Sequence, residues 1–253
     1  MTQRVAARYK VGSIGARSLQ RTMDREREPN ANMRGERLTP PDVVYIWAGL
    51  DIPDYTPEGV EEGFSRYWQC VDQVMKEQPD RIGWGGLPLS PQLGRPRCLE
   101  LIEETAKKTG IPAGSDAESV IAALKHLGTG RVAVASRWAD GLNQALVRYL
   151  NHAGVEVLAI TSAGQMVHQA DAMSLDAGIR MVFHLARRAI KEAPQAEALI
   201  VPGGAWRSLG CLPILEDDFD IPVISNGTAQ VWSLIHNGAV PPVQGWTRHL
   251  ETP

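Results

Sequence analysis

Cysteine is scarce in this chain of 253 residues: only Cys70, Cys98 and Cys211 are present. Their spacing fits neither a disulfide scaffold nor a zinc motif. No run of 18 apolar residues occurs, which argues against a membrane-spanning helix. Met1 to Lys10 is polar and lacks the apolar core of a secretion signal. The six histidines form no His-Glu-x-x-His pattern, so no metal centre is expected. Gly12-Ser13-Ile14-Gly15 lacks the third glycine of a dinucleotide fingerprint, and no phosphate-loop lysine follows it. A nucleotide cofactor is therefore not expected, and none of another kind is implied. Lys and Arg number 26 against 29 Asp and Glu, a net charge of −3. Nothing in that balance asks for nucleic acid or an anionic membrane as partner. The default compartment is the cytoplasm.

What is present is an ordinary globular composition, 43% hydrophobic and 22% charged. Arginines from Arg17 to Arg37 alternate with acids, as a solvated segment would. Short apolar stretches alternate with longer helical ones. Arg8–Ile14, Asp42–Ala48, Asp80–Trp84, Arg131–Ala135, Val155–Ile160, Ala198–Val201 and Ile221–Ser225 read as strands. Thr56 and Pro57 open a helix whose apolar positions are Phe64, Tyr67, Trp68, Val71 and Met75. Leu99–Thr109, Asp116–Leu127, Leu142–Leu150, Leu175–Ile190 and a stretch through Trp232 and Ile235 carry the same period. Asn30–Pro41 reads as a loop. This alternation predicts an α/β fold of two doubly wound lobes with parallel sheets and a cleft between them. The first lobe is expected over residues 1–117, completed by a C-terminal helix in 228–253, and the second over 118–227. Trp47, Tyr55, Trp68 and Trp246 exceed the aromatic needs of one small core, so a homo-oligomer is a further expectation.

In open parallel sheets the ligand crevice lies past the carboxyl ends of the strands. That rule selects Arg17, Gly86, Leu87, Arg137, Trp138, Gly203, Gly204, Trp206, Arg207, Ser225 and Asn226 as candidate substrate-binding residues. Glycine-rich strand ends expose backbone N–H groups, and helix starts favour an anion. The implied ligand is a small carboxylate or an enolate-like oxygen. Asp116, Glu118 and His168 are the candidate proton-transfer groups. Each has a plainer alternative. Asp116 and Glu118 are equally suited to a helix first turn, the glycine pairs to tight turns, and Trp138 and Trp206 to sealing a lobe interface.

Pro57-Glu58-Gly59, Gly110-Ile111-Pro112, Ala123-Leu124 through Leu127-Gly128, Arg131-Val132-Ala133-Val134-Ala135 and Ile221-Pro222-Val223-Ile224-Ser225-Asn226 occur in one order. In that order and spacing the chain resembles the aspartate/glutamate racemase superfamily, with maleate isomerases and arylmalonate decarboxylases nearest in look. The resemblance implies two pseudo-symmetric lobes with substrate between them and a catalytic cysteine at a strand end of one or both. It places those cysteine positions at Gly86 and Gly203, and the decarboxylase tyrosine at Trp138. Leu87 and Pro88 fall where the decarboxylases keep side-chain donors. Glycine can neither move a proton nor add to a double bond, as a thiolate does. The expectation is thus a cysteine-independent enzyme acting on a small carboxylic acid, unsaturated and aromatic ones included, or a related carbonyl compound. It would be of lyase or hydrolase type, with backbone oxyanion donors and a carboxylate acid–base. A non-catalytic carboxylate-binding protein and a maleate-isomerase-like isomerase are the alternatives.

Overall fold

A computed structural model describes residues 7–17, 35–165, 169, 173–203 and 208–253. Two four-stranded parallel sheets form the framework. The first holds β1 (Tyr9–Gly15), β2 (Val43–Gly49), β3 (Arg81–Trp84) and β4 (Ala113–Ser115) in the order β2-β1-β3-β4. The second repeats that plan with β5 (Arg131–Trp138), β6 (Glu156–Gln165), β7 (Ala198–Ile200) and β8 (Val223–Ile224), in the order β6-β5-β7-β8. Parallel neighbours need helical crossovers, and these cover the sheets. The result is the doubly wound, two-lobed α/β fold that the alternating pattern predicts.

Local chemistry sets most boundaries. The Thr56 hydroxyl accepts the Gly59 N–H at 3.1 Å and Pro57 follows it, opening α1 (Pro57–Phe64). The single helix expected through Met75 is interrupted. Ser65 and Arg66 close α1, and α2 (Tyr67–Met75) starts afresh. The Arg66 guanidinium donates to the Leu50 carbonyl at 2.5 Å and the Asp51 carbonyl at 2.9 Å. That anchors the corner to the strand-end loop, a tertiary contact that periodicity does not report. α3 (Leu89–Leu93) and α4 (Arg95–Thr109) lead to β4, and α5 (Asp116–His126) leaves it. In the second lobe the crossovers are α6 (Asp140–His152), α7 (Leu175–Glu192) and α8 (Leu212–Phe219). The chain closes with α9 (Asn226–His236) and α10 (Arg248–Glu251). Strands β5 and β6 run past their apolar cores because they pair as far as Trp138 and Gln165, with two register shifts. β8 is shorter than expected, since Pro222 offers no ladder N–H. Within Asn30–Pro41, residues 35–38 form a 3-10 turn rather than plain loop.

The main core spans both lobes, joining Ile82 and Trp84 to Val134, Ile200 and Trp232. A second cluster fills the space between the second sheet and α7, where Ala133 and Ala135 meet Val182, Leu185, Ala186 and Ala189. Tyr55, Trp68 and Trp246 pack on the main core, so this chain itself uses much of its aromatic surplus. After the second sheet the chain returns to the first. Ser233 of α9 accepts from Arg81 Nη1 at 2.7 Å, and the Ala239 carbonyl accepts from Arg8 Nη1 at 2.6 Å. No helix among the described residues is long and apolar enough to cross a membrane.

Candidate active site between the two sheets

The edge strands of the two sheets end alike. β4 ends at Ser115, whose Oγ accepts the Glu118 N–H at 3.3 Å and caps α5. Beyond β8, the Ser225 Oγ accepts the Thr228 N–H at 3.2 Å and caps α9. Asp116 and Asn226 therefore occupy the same first helical position in the two lobes. The neighbouring strands also correspond. β3 runs into Gly86 at φ +105° and β7 into Gly203 at φ +96°, a backbone region that glycine enters at little cost.

These four residues form one hydrogen-bonded chain. Gly86 N–H donates to Asp116 Oδ2 at 2.7 Å. Asn226 Nδ2 donates to the same oxygen at 2.8 Å. Asn226 Oδ1 accepts the Gly203 N–H at 3.0 Å. Asp116 is 5% and Asn226 8% exposed, so the chain is shielded from bulk water and its bonds are strengthened. The structure thus brings together Gly86, Asp116, Gly203, Ser225 and Asn226, drawn from both lobes. The Gly86 and Gly203 amides are already engaged. The neighbouring Leu87 N–H makes no hydrogen bond among the described residues, while its side chain is buried. A turn closed by Leu89 N–H to the Gly86 carbonyl at 2.9 Å holds it.

Glu118 is engaged by other partners. The Glu118 carboxylate takes Arg95 Nε at 2.9 Å and Nη2 at 3.0 Å, and the Tyr149 hydroxyl at 2.8 Å. That bidentate bond raises the Arg95 pKa. Arg17 lies half-buried past β1, and Arg137 is buried at the end of β5. The Trp138 ring lies in the main core. Its carbonyl accepts from Asn143 Nδ2 at 2.9 Å and from the Ser162 hydroxyl. His168, Gly204, Trp206 and Arg207 lie outside the described residues. Sequence reasoning passed over Arg95, Tyr149 and Asn143. A polar Asn143 beside Leu142 in the apolar stripe of α6 was the available signal. Nothing local marks Arg95, because its partner is 23 residues away.

All three thiols are buried, and none stands at position 86 or 203. Cys70 lies in α2, Cys98 in α4, and Cys211 just before α8. Burial raises the Cys70 pKa and pushes Cys98 and Cys211 each to about 11, so they remain thiols near neutrality. No cluster of three or more metal-ligating side chains occurs among the described residues.

Two edge helices meeting over paired glycine turns, with no thiol between them, define a two-lobed α/β protein built around a carboxylate–amide junction. Its relatives agree with the lobed plan. A family model described as arylmalonate decarboxylase matches residues 34–248, and the chain belongs to that family. Arylmalonate decarboxylase from Bordetella bronchiseptica is 26% identical over 206 residues, covering 79% of this chain and 82% of that one. A crystal structure of a double mutant of arylmalonate decarboxylase in its liganded form has a TM-score of 0.81 at 22% identity, covering 95% and 98% of the two chains. A Nocardia farcinica maleate cis-trans isomerase mutant with a covalently bound succinylcysteine intermediate has a TM-score of 0.77 at 19% identity, covering 96% and 98%.

Proposed function

We propose that this chain is a cysteine-independent lyase that removes carbon dioxide from a small, aryl- or alkenyl-substituted dicarboxylic acid. The observation carrying this reading is the buried Asp116 carboxylate at the lobe junction, in a chain whose three thiols are buried elsewhere. Membership of the arylmalonate decarboxylase family supports the substrate class. The chemistry needs no nucleophile. One carboxylate leaves as carbon dioxide, and the electron pair of the broken C–C bond passes into an enediolate. The Leu87 N–H would stabilise the enediolate oxygen. Asp116 then relays a proton from water to the carbon, leaving hydroxide in the solvent. An aromatic or unsaturated substituent delocalises the carbanion and so lowers the barrier. Covalent addition of a thiolate, as a maleate-isomerase mechanism would need, is disfavoured by buried thiols held at high pKa.

The test is incubation with phenylmalonate, with product followed by proton NMR. Phenylacetate is expected, and Asp116→Asn is expected to lower turnover by about 100-fold or more, the scale of a lost proton-transfer group. Glu118→Gln is expected to change it little. Full activity in Asp116→Asn would remove the assigned acid. Saturable binding of phenylmalonate with no product would replace the lyase by a carboxylate-binding protein.

A further inference from the structure

Asp116 and Asn226 are equivalent residues of two similar lobes, and they touch each other. Two positions related by a pseudo-two-fold axis can meet only on that axis. The Asn226–Asp116 hydrogen bond therefore marks the axis itself. Yet the two side chains differ, and the difference can be derived from hydrogen-bond bookkeeping. Each position must accept an N–H from the glycine turn of its own lobe, Gly86 at 2.7 Å or Gly203 at 3.0 Å. The two must also bond to each other. Two carboxylates would face one another with no donor between them unless they shared a proton, at the cost of raising a pKa. Two amides would bond but leave the site without an acid. One carboxylate and one carboxamide meet every requirement, because a carboxamide accepts and donates at once. The amide orientation is fixed as well: Gly203 N–H can only donate, so Asn226 must turn its oxygen toward the glycine and its NH2 toward Asp116.

From this we infer that Asn226 is a positioning residue rather than a substrate ligand. Its side chain is a strut on the pseudo-two-fold axis that holds the Asp116 carboxylate and couples the Gly86 and Gly203 turns into one unit. A disturbance at one lobe's turn is transmitted to the other through three consecutive hydrogen bonds. The strut also sets polarity. The single ionisable member of the pair stands on α5 and its amide partner on α9. The kinetic half of this inference rests on the proposed role of Asp116; the structural half does not.

The experiment is amide hydrogen exchange at Gly86 and Gly203, combined with turnover of phenylmalonate, in Asn226→Ala, Asn226→Asp, Asp116→Asn and the exchanged pair Asp116→Asn/Asn226→Asp. In Asn226→Ala, Gly203 loses its acceptor. Gly86 keeps its own acceptor and is still expected to exchange faster by about tenfold or more, the scale of one lost hydrogen bond to a charged group. The exchanged pair rebuilds the strut with its polarity reversed, and protection at both glycines is expected to return to within a few-fold of the native chain. Asn226→Asp alone sets two carboxylates together. Protection at both glycines should then gain a titration step above the ordinary carboxylate range, which a merely structural residue would not produce. Unchanged Gly86 exchange in Asn226→Ala, or an exchanged pair no better protected than Asn226→Asp, would overturn the strut. If Asn226→Ala fails to fold, the comparison of Asn226→Asp with the exchanged pair decides the matter alone. Should Asp116→Asn keep full turnover while the exchange effects stand, the strut survives and the assignment of Asp116 as the acid falls.

Discussion

At one equivalent position the two lobes have solved the same packing problem in opposite ways. Counting back from Gly86 and from Gly203, the β3–β4 pair Gly83–Gly114 corresponds to the β7–β8 pair Ile200–Ile224. In the second lobe both isoleucines are fully buried and fill the space beneath the edge helix. In the first lobe a Cβ on Gly83 would lie 2.7 Å from the Gly114 carbonyl oxygen, and one on Gly114 would lie 3.5 Å from Arg81 Nη2. The Gly114 backbone thus excludes a side chain at Gly83, while a methyl at Gly114 would meet at ordinary contact distance the Arg81 guanidinium, which fills the neighbouring volume on its way to Ser233. Topology therefore does not dictate packing. The first lobe combines bare backbone with a dense aromatic group, Phe64, Tyr67, Trp68 and Trp84, whose ring centroids lie 5.3–5.9 Å apart. The second adds Trp138 and Tyr149 to aliphatic side chains and the alanine face of α7.

That contrast is sharpest under mutation. Ile200→Ala should cost about 2–5 kcal/mol, read from the urea midpoint, because a cavity opens in a core that cannot collapse onto it. Gly83→Ala adds atoms where Ile200→Ala removes them, and should nevertheless cost about 1–3 kcal/mol from forced strand separation. Both should leave one cooperative transition, since a single core cluster spans the two sheets. Two separate transitions in either variant would show that the lobes are energetically independent.

The C-terminal segment adds a pH-dependent contribution to stability. His249 is fully buried, and neither ring nitrogen has a hydrogen-bond partner among the described residues. Burial, with a smaller effect of nearby His126, pushes its pKa down from 6.5 to about 3. The folded state thus keeps it neutral while the unfolded chain takes up a proton below 6.5. The stability it permits is complete above that pH and is lost as pH falls from 6.5 toward 3. The loss is about 1.4 kcal/mol per pH unit well inside that window. Between pH 6.5 and 5 the native chain should lose stability more steeply than His249→Leu, as measured by urea unfolding. Parallel slopes would mean that His249 titrates alike in both states.

Much of this was legible in the sequence, and the failures share one cause. Short apolar stretches and helix starts gave the two sheets, and strand ends pointed to Gly86, Asp116, Gly203 and Asn226, which do meet. Long-range polar contacts were not legible. Arg66 bends α1 away from α2 by reaching back to Leu50 and Asp51, and no periodicity encodes that reach. Trp138 stood at a loop-like position in the sequence, yet β5 extends to carry it into the core. The bond between Asp116 and Asn226 joins residues 110 apart, so the sequence could offer each as a ligand but not as the other's partner.

Glu118 carries the smallest difference between the lobes. Ser115-Asp116-Ala117-Glu118 has the form of a reciprocal capping box, in which the glutamate would reach back to the Ser115 N–H. The second lobe does form such a box: the Thr228 hydroxyl accepts the Ser225 N–H at 3.1 Å while Ser225 caps in return. In the first lobe only half of it forms, because Arg95 and Tyr149 draw the Glu118 carboxylate away. Thr228→Val should therefore destabilise by about 1 kcal/mol as an ordinary lost cap. Glu118→Gln would be nearly harmless in a true box, since glutamine serves there equally well. Here it removes the charge that Arg95 grips with two N–H groups at a side chain 19% exposed, and a loss of about 1 kcal/mol is expected. Salt separates the two cases. Raising ionic strength should shrink the Glu118→Gln effect and leave that of Thr228→Val unchanged, because screening acts on the ion pair and not on a neutral hydroxyl.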